Sequence, residues 1–554
     1  MTNSSAITRR TTLAGLSAAA AAAVLPGEAA AANPLFRHGV ASGDPDATSV
    51  VLWTRISAGA ALTVDWELAT DAKFARIVRR GTLQTGPDRD YTVKALAEGL
   101  ASGGRYFYRF RAGGALSPVG QTRTLPVGKL DRLGIALASC SNYAFGFFNA
   151  YDAIARDPAV DFVLHTGDYI YEYGADGWGG DVAKRIGRVH QPAHEIVSLS
   201  DYRTRHAQYK TDAGSQAMHA AKPLLACWDD HESANNPWTG GAQNHQSDKE
   251  GDWAARRAAS IQAYFEWMPV REPGAGRSRM QFWRSYTFGD LATLSTLETR
   301  HTARAEQVDY LPYTKTIASH ADARAMERDA IGAPGRTMLA PELETDLAAA
   351  WSQSKELGQP WRLIGNPMPI ARTRVPDVVA LGLIPNPATQ DKPSLSAQFL
   401  AWKGKWNLPL SPDTWDGYEW ARERLYGQAR SAGVNDLVFL TGDSHSFWAN
   451  RLADTAGRPT GLELGTAGIS SPGDFVESGF DPATAARIDR AFEEHNPEVV
   501  WTDNMHQGYV RLVMGRSAAQ ADFVAVSTVL SPRYRAATIK RMAILPGANG
   551  LTLT

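Results

Sequence analysis

Cysteine is almost absent from this sequence, because only Cys140 and Cys227 occur in 554 residues. At most one disulfide bond can therefore form within the chain. Both cysteines stand at the ends of apolar runs. One interpretation is a disulfide between neighbouring strand ends, as expected of an exported protein. The other makes one cysteine a metal ligand and the other a small core residue.

Excess charge of either sign is also lacking. The chain has 57 basic and 58 acidic residues, and its formal net charge is −1. This balance argues against nucleic acid as a stable partner, since polyanion binding is typical of strongly basic chains. Beyond the N-terminus no apolar run is long enough for a membrane span. We expect a monomer that is large enough for two or more domains.

The N-terminus has the pattern of a secretory signal. Arg9 and Arg10 precede an alanine-rich apolar run that reaches about Leu25, and small residues follow it. The paired arginines indicate the twin-arginine route, although Thr12 stands where an aromatic residue is commoner. The alternative, an anchor helix, is disfavoured because the run is short and consists mostly of alanine. We therefore assign residues 1–32 to a signal peptide and expect a periplasmic or secreted protein.

The next segment, residues 33–127, carries short alternating runs such as Leu62–Leu68 and Arg105–Arg111. Alternation with period two predicts an antiparallel β-sandwich of the fibronectin or immunoglobulin type. Tyr106, which follows two glycines, is similar to the tyrosine corner of such modules. Because this segment has no cluster of titratable groups, we assign it a packing or lid role.

From residue 128 to residue 554, apolar strands alternate with helical stretches, which predicts an α/β domain. Several of the apolar runs end in polar residues, and parallel strands bring such ends together at one edge of a sheet. The connections 174–215 and 301–335 are too long for simple loops, so we expect them to cover a site at that edge.

Four of these strand ends offer groups that bind metals. Each alone is as consistent with an ordinary strand-to-loop exit as with a site. Together they bring sulfur, phenolate, imidazole and carboxylate donors to one sheet edge, as a two-metal hydrolytic centre requires. The four segments are Cys140, Asp168 with Tyr171, Asp229-Asp230-His231, and Gly442-Asp443-Ser444-His445.

With these residues in place, the sequence resembles the PhoD-like alkaline phosphatases within the calcineurin-like metallophosphoesterases. The resemblance covers nearly all of the chain after the signal. It implies an α/β/β/α sandwich behind an N-terminal β-sandwich, and a centre that contains Fe3+ and Ca2+. The matching stretches are Phe36–Pro45, Ala138–Ser141, Gly167–Tyr173, Trp228–Glu232, Glu266–Arg271 and Leu440–His445.

The resemblance also implies a set of metal ligands, in which Asp168 bridges two ions. The thiolate, phenolate and imidazole suit a transition metal, whereas the remaining carboxylates suit a hard cation. Asp230, Asp443 and His445 are placed by alignment with Gly-Asn-His and Gly-His-x-His motifs of the superfamily. The predicted ligands are Cys140, Asp168, Tyr171, Asp230, Asp443 and His445.

The implied reaction is in-line attack on phosphorus by a metal-activated hydroxide. His231 is the candidate for protonating the leaving alkoxide, and Arg300 for clamping the phosphate, with a structural ion pair as its alternative role. We expect Asp229 beside the metal ligands rather than on a metal. Asn235 or Asn236 is a candidate for supplying an amide oxygen.

Two stretches depart from the family pattern. Leu297-Glu298-Thr299-Arg300 stands where Leu-Asp-Thr-Arg is usual, and Gly365-Asn366-Pro367 stands where Gly-Asn-Gln is expected. The first departure affects a metal or substrate contact, and the second a role for Asn366.

Three functions remain open at this point. The first is an exported alkaline phosphatase that hydrolyses small-molecule phosphate monoesters. The second is a phosphodiesterase of the phospholipase D type, which acts on lipid headgroups, teichoic acids or nucleotides. The third is a non-catalytic protein that binds phosphate polymers, and the intact ligand set argues against it.

Overall fold

The computed structural model describes residues 34–390, 395–547 and 550–554. The predicted signal peptide, residues 1–32, lies outside the described residues. No helix within the described ranges has the length and apolar character needed to cross a bilayer.

The described residues form strands and helices in a mixed order, as the alternation in the sequence predicts. In chain order the strands are β1 (Val40–Gly43), β2 (Val50–Arg55), β3 (Leu62–Ala69), β4 (Ile77–Thr85), β5 (Thr92–Ala97), β6 (Arg105–Ala112), β7 (Ala115–Leu116), β8 (Gly120–Arg123), β9 (Arg132–Ala138), β10 (Phe162–His165), β11 (Leu224–Ala226), β12 (Pro237–Trp238), β13 (Gly241–Ala242), β14 (Ser285–Phe288), β15 (Ala292–Thr296), β16 (Trp361–Asn366), β17 (Leu437–Thr441), β18 (Phe447–Ala453), β19 (Pro459–Gly465), β20 (Val499–Asp503), β21 (Gln507–Gly515), β22 (Ala519–Val526), β23 (Ala536–Gly547) and β24 (Gly550–Leu553). The α-helices are α1 (Asn149–Arg156), α2 (Gly180–Ile186), α3 (Leu199–Tyr209), α4 (Ala213–Ala221), α5 (Ser247–Glu250), α6 (Trp253–Trp267), α7 (His320–Met326), α8 (Pro341–Glu356), α9 (Leu395–Trp406), α10 (Glu419–Ser431), α11 (Asp474–Glu477) and α12 (Pro482–His495).

Two large sheets dominate the fold. One has the strand order β24-β23-β22-β21-β9-β10-β11-β1-β2-β5, and the other has the order β14-β15-β16-β17-β19-β18-β20. The strands β9, β10, β11 and β1 are parallel to one another in the first sheet, as are β15, β16, β17 and β19 in the second. The late strands β21, β22 and β23 pair antiparallel. The parallel strands place all their carboxyl ends at one edge.

The two sheets pack face to face, with helices on their outer faces. Ile135 and Leu164 of the first sheet share a buried core with Leu294, Leu363 and Leu440 of the second. A separate core joins the outer face of the first sheet to α1, α4 and α6, and another joins the second sheet to α8 and α10. This is the predicted α/β/β/α sandwich, whose buried strands read as nearly continuous apolar runs.

The N-terminal segment contains two sheets, but only one of them is separate. The order β4-β3-β6-β7, with β8 beside β6, forms a five-stranded sheet. The other strands, β1, β2 and β5, extend the large sheet, because β1 pairs in parallel with β11. The hydroxyl of Tyr106 accepts a hydrogen bond from the backbone N–H of Ala101 at 2.9 Å, as a tyrosine corner requires. The boundaries of the predicted domains, 33–127 and 128–554, stay predictions.

Candidate metal centre

The predicted metal ligands converge where the carboxyl ends of both sheets meet. Ligating atoms of three groups of side chains lie within 4.8 Å of one another in each group. Asp168 belongs to two of the groups and Asp230 to two, so the three groups form one continuous cluster. The groups are Cys140 with Asp168 and His445, Asp168 with Asp230 and His231, and Asp229 with Asp230 and Asp443.

The backbone turns sharply at four of these residues. Cys140, Asp168, Asp443 and His445 have φ values of 61°, 57°, 64° and 54°. Residues other than glycine rarely adopt this left-handed conformation, which costs on the order of 1–3 kcal/mol at each position. The turns redirect each chain as it leaves its strand, and they concentrate backbone strain at the cluster.

Two glycines allow the strand-end loops to approach one another closely. A Cβ atom on Gly167, where φ is +102°, would lie 2.3 Å from the backbone nitrogen of Asp229. A Cβ atom on Gly442 would lie 2.2 Å from Oγ of Ser139. Any side chain at either position would therefore separate the loops that carry the ligands.

A phenol, the side chain of Tyr171, lies beside the group that contains Cys140. The hydroxyl of Tyr171 donates to Asp168 at 2.9 Å and lies 3.3 Å from Nε2 of His445. Burial, with the nearby charge of His231, lowers the pKa of His445 to about 3, so its ring is neutral and suited to bind a metal. Burial and then Asp168 raise the pKa of Cys140 and of Tyr171 well above their ordinary values. A bound cation would offset this, because it stabilises the thiolate and the phenolate. The donors therefore fit a transition metal.

The carboxylate group fits a hard cation. Asp229, Asp230 and Asp443 bring three negative charges to one place, and Arg300 supplies a single positive charge between them. Oδ2 of Asp229 and Oδ1 of Asp230 are buried and have no hydrogen-bond partner. Burial and then the carboxylate of Asp229 raise the pKa of Asp443 well above its ordinary value. A divalent cation held by Asp230 and Asp443 would balance the charge and satisfy Oδ1 of Asp230.

Arg300 is enclosed among carboxylates. Its Nε donates to Asp229 at 2.5 Å and its Nη1 donates to Asp413 at 2.7 Å, while Nη2 lies 3.5 Å from Oδ1 of Asp443. Arg304 also binds Asp413. The described residues that line the neighbouring cavity do not include Arg300. These contacts favour the structural ion-pair role, and the phosphate clamp stays a prediction.

His231 lies at the rim of the cluster, held by a carboxylate that the sequence analysis did not single out. Its Nδ1 lies 2.7 Å from Oε2 of Glu172, which also accepts hydrogen bonds from the backbone of Asn235 and from Asn244. Burial alone would lower the pKa of His231, but Asp230, Glu172 and Asp168 raise it well above its ordinary value. The ring is therefore oriented, with its Nε2 directed away from Glu172.

A second missed carboxylate, Glu232, ties two strand ends together. It accepts hydrogen bonds from the backbone N–H groups of Asp168, Tyr169 and Asp229 at 3.1, 2.5 and 2.8 Å. In the sequence, Glu232 was notable only because it follows His231. Nothing indicated that it would accept hydrogen bonds from backbone N–H groups. Glu232 therefore positions the ligands without being one of the grouped donors.

The two departures from the family pattern both have structural roles. Glu298 accepts hydrogen bonds from the backbone of Arg300 and His301 at 2.9 and 2.7 Å, and so holds the loop after β15. Asn366 donates to the carbonyl of Met368 and accepts from the indole of Trp415. Glu298 belongs to none of the three ligand groups.

The cluster opens into a cavity of about 290 Å³ lined by Asp168, Asp230, His231, Asp443 and His445 among others. Asn235 and Asn236 line the same cavity, and the backbone N–H of Asn236 donates to Asp230 at 2.9 Å.

Trp178 covers the cluster beside this cavity. Its ring stacks on that of His445, with the centroids 5.4 Å apart and the planes inclined by 17°, and lies 6.4 Å from the ring of His231. This residue belongs to the connection 174–215, which we expected to cover the site.

Both cysteines are buried free thiols, so they do not form the alternative disulfide. Cys227 lies near the backbone carbonyls of His165 and Gly365, among residues of the core. Cys140 alone belongs to a ligand group. The two cysteines thus occupy different environments.

Comparison with known proteins agrees with this geometry. The profile of the PhoD-like phosphatase family matches residues 135–523, and that of the family's N-terminal domain matches residues 18–126. Alkaline phosphatase D of Bacillus subtilis is 34% identical over 519 residues, which cover 90% of this chain and 78% of that protein. A solved structure described as that of PhoD superposes with a TM-score of 0.74 at 30% identity, covering 94% of this chain and 92% of the other. The predicted fold class and the prediction of a phosphatase are confirmed, and the chain belongs to the PhoD-like phosphatase family.

Proposed function

We propose that the protein is an exported, metal-dependent alkaline phosphatase that hydrolyses small phosphate monoesters at this cluster. The observation that carries the proposal is the convergence of three overlapping donor groups, one with sulfur and two with carboxylates, beside a cavity. A protein that only binds phosphate polymers has no need of such a set.

The donors support an assignment of two kinds of metal. Cys140, Tyr171 and His445 would hold Fe3+, Asp230 and Asp443 would hold Ca2+, and Asp168 would contact both. Bound cations supply Lewis-acid activation of water and neutralise the phosphoryl oxygens. Asp229 remains beside the ligands, where it binds Arg300.

His231 is the proposed general acid. It lines the cavity, and the 2.7 Å contact between its Nδ1 and Glu172 leaves Nε2 to hold a proton for the leaving alkoxide. Glu172 fixes the ring as the carboxylate partner of a catalytic histidine commonly does. This role needs only that the leaving oxygen reach Nε2 in the bound substrate.

The volume of the cavity favours monoesters. Ligand pockets usually enclose roughly 300–1,000 Å³, and this cavity, at about 290 Å³, lies at the lower limit. A second bulky substituent on phosphorus would have to extend out of this cavity.

Three substrates test this preference under identical Ca2+ concentration and alkaline pH: an aryl phosphate, a bis-aryl phosphate and phosphatidylcholine. We expect kcat/KM to be greatest for the aryl monoester. Faster hydrolysis of the bis-aryl phosphate would instead establish the phosphodiesterase alternative, and no hydrolysis of any of the three would refute the proposed function.

Removal of the hard cation is expected to abolish activity reversibly. EGTA should inactivate the enzyme and Ca2+ should restore it, because the carboxylates of Asp230 and Asp443 hold a cation less tightly than thiolate and imidazole do. Phosphate release and far-UV circular dichroism are measured together, and the spectrum should not change. Restoration by Zn2+ alone would contradict the assignment of calcium.

Export is expected to require the arginine pair. The motivating observation is that Arg9 and Arg10 precede a weakly apolar, alanine-rich run. Changing both to lysine should leave the precursor in the cytoplasm, as judged by immunoblotting of cell fractions, with the unchanged sequence as the control. Undiminished activity outside the cytoplasm would argue against the twin-arginine route.

A further inference from the structure

One lysine that lines the cavity has hydrogen-bond donors without partners. Lys403, on α9, lines the cavity and is half-buried. Its Nζ donates one hydrogen bond, of 2.7 Å, to the backbone carbonyl of Leu410. Among residues 34–390 and 395–547, no carboxylate forms an ion pair with it. An ammonium group has three donors, so two of them remain for another partner.

The cavity also contains a buried hydrogen-bond acceptor that has no donor. Asn450, on β18, is 1% exposed and lines the cavity. Its Nδ2 donates to Oε2 of Glu463 at 2.9 Å, which fixes the orientation of the amide, and its Oδ1 has no hydrogen-bond partner. Buried polar atoms are seldom left unpaired. An unpaired one commonly faces a ligand or ordered water.

Apolar side chains contribute to the cavity. Trp448, Leu410 and Pro369 all line it, and the indole nitrogen of Trp448 is already bound to Oγ of Ser444. Asp474 lines the same cavity, and its charge raises the pKa of Lys403 against the effect of burial. The cavity therefore combines one cationic donor and one buried amide acceptor with some apolar surface, and a few polar groups placed to fix a ligand's orientation are typical of a small-molecule site.

We propose that Lys403 and Asn450 form a subsite for the leaving group, which selects small alcohols that carry a second anionic group and a hydroxyl. The anion, a carboxylate or a phosphate, supplies the missing partner of the ammonium, and the hydroxyl donates to Oδ1 of Asn450. Because the cavity is only about 290 Å³, one compact substrate spans the metal ligands and this subsite. The inference rests on the proposed phosphatase function and narrows its substrate class.

Glycerol 3-phosphate and 3-phosphoglycerate test the subsite, since they differ mainly in a hydroxymethyl group against a carboxylate. Burial lowers the pKa of Lys403 to about 8, with Asp474 acting in the opposite direction, so assays at about pH 7 keep the ammonium charged. We expect the wild type to prefer the carboxylate substrate in kcat/KM. Lys403→Met should reduce that preference by about tenfold, the loss expected for one hydrogen bond to a charged group. Lys403→Arg should retain most of it.

Lys405→Met is the matched control, because Lys405 lies on the same helix, is exposed and packs on Trp406 rather than on the cavity. It should leave the preference unchanged. An unchanged preference in Lys403→Met, with both esters still hydrolysed, would overturn the subsite while sparing the phosphatase assignment. If the wild type hydrolysed the aryl phosphate but neither ester, the subsite would be wrong and the phosphatase assignment would stand, whereas no hydrolysis of the aryl phosphate either would overturn the proposed function. Inhibition of the wild type by glycerate and by glycerol needs no variant, and equal inhibition by the two would also refute the subsite.

Discussion

Replacing Asp168 by asparagine is expected to reduce kcat/KM by more than roughly 10–100-fold. That smaller loss is typical when the residue changed only forms a hydrogen bond to a metal ligand. Asp168 belongs to two of the three donor groups, so its carboxylate serves both proposed ions. An amide has similar size but carries no charge to hold two cations together. Metal content, measured by mass spectrometry, should fall along with turnover.

Asp489→Asn is the control for this change. Asp489 is also buried and also binds a neighbour, Asn504 at 2.7 Å, but it lies outside the ligand groups. Its substitution should affect stability and leave the metal content unchanged. If Asp168→Asn retained full metal content and activity within about tenfold of wild type, the bridging role would be wrong.

The second large effect is expected at Cys140. A thiolate bound to Fe3+ beside a phenolate gives charge-transfer absorption, so the purified protein should be coloured, whereas Ca2+ gives no colour. Cys140→Ala should remove iron, part of the visible band and nearly all turnover. Cys227→Ala should affect only stability, by about 1 kcal/mol, because Cys227 is a small core residue outside the ligand groups.

Titration of thiols separates this account from the disulfide alternative. In denaturant with a chelator, the wild type should show two free thiols, since both cysteines are unpaired. A disulfide would predict no free thiol, and it would predict that both alanine variants are equally destabilised, coloured and active.

The convergence of the proposed ligands at one place was predictable because each follows an apolar run. Polar residues after a buried strand stand at the sheet edge whatever the details of packing, and Asp168 and Asp443 follow β10 and β17 in this way. Sulfur and phenol at two of these positions then favoured the proposal of a mixed-metal centre.

The supporting residues were not predictable from the sequence. Glu172 and Glu232 are acidic residues beside a motif, and Glu172 binds His231 and Glu232 binds Asp168 over separations of 59 and 64 positions in the sequence. Trp178 lies in a segment without periodicity, so nothing indicated that it stacks on His445. Such contacts arise from tertiary packing, which brings together residues with no local relation.

The same limit applies to the N-terminal segment. Alternation predicted strands correctly, but β1, β2 and β5 extend the large sheet through the pairing of Gly43 with Leu224. Pairing partners depend on which edge is available after folding, and a period of two carries no such information.

Anomalous X-ray scattering at the iron edge, from crystals of the protein as purified, shows directly whether Fe3+ occupies the proposed site. We expect one strong iron peak beside Sγ of Cys140, shared with Asp168 and His445, in protein that releases phosphate from an aryl monoester. An active protein without iron density at this position would contradict this assignment.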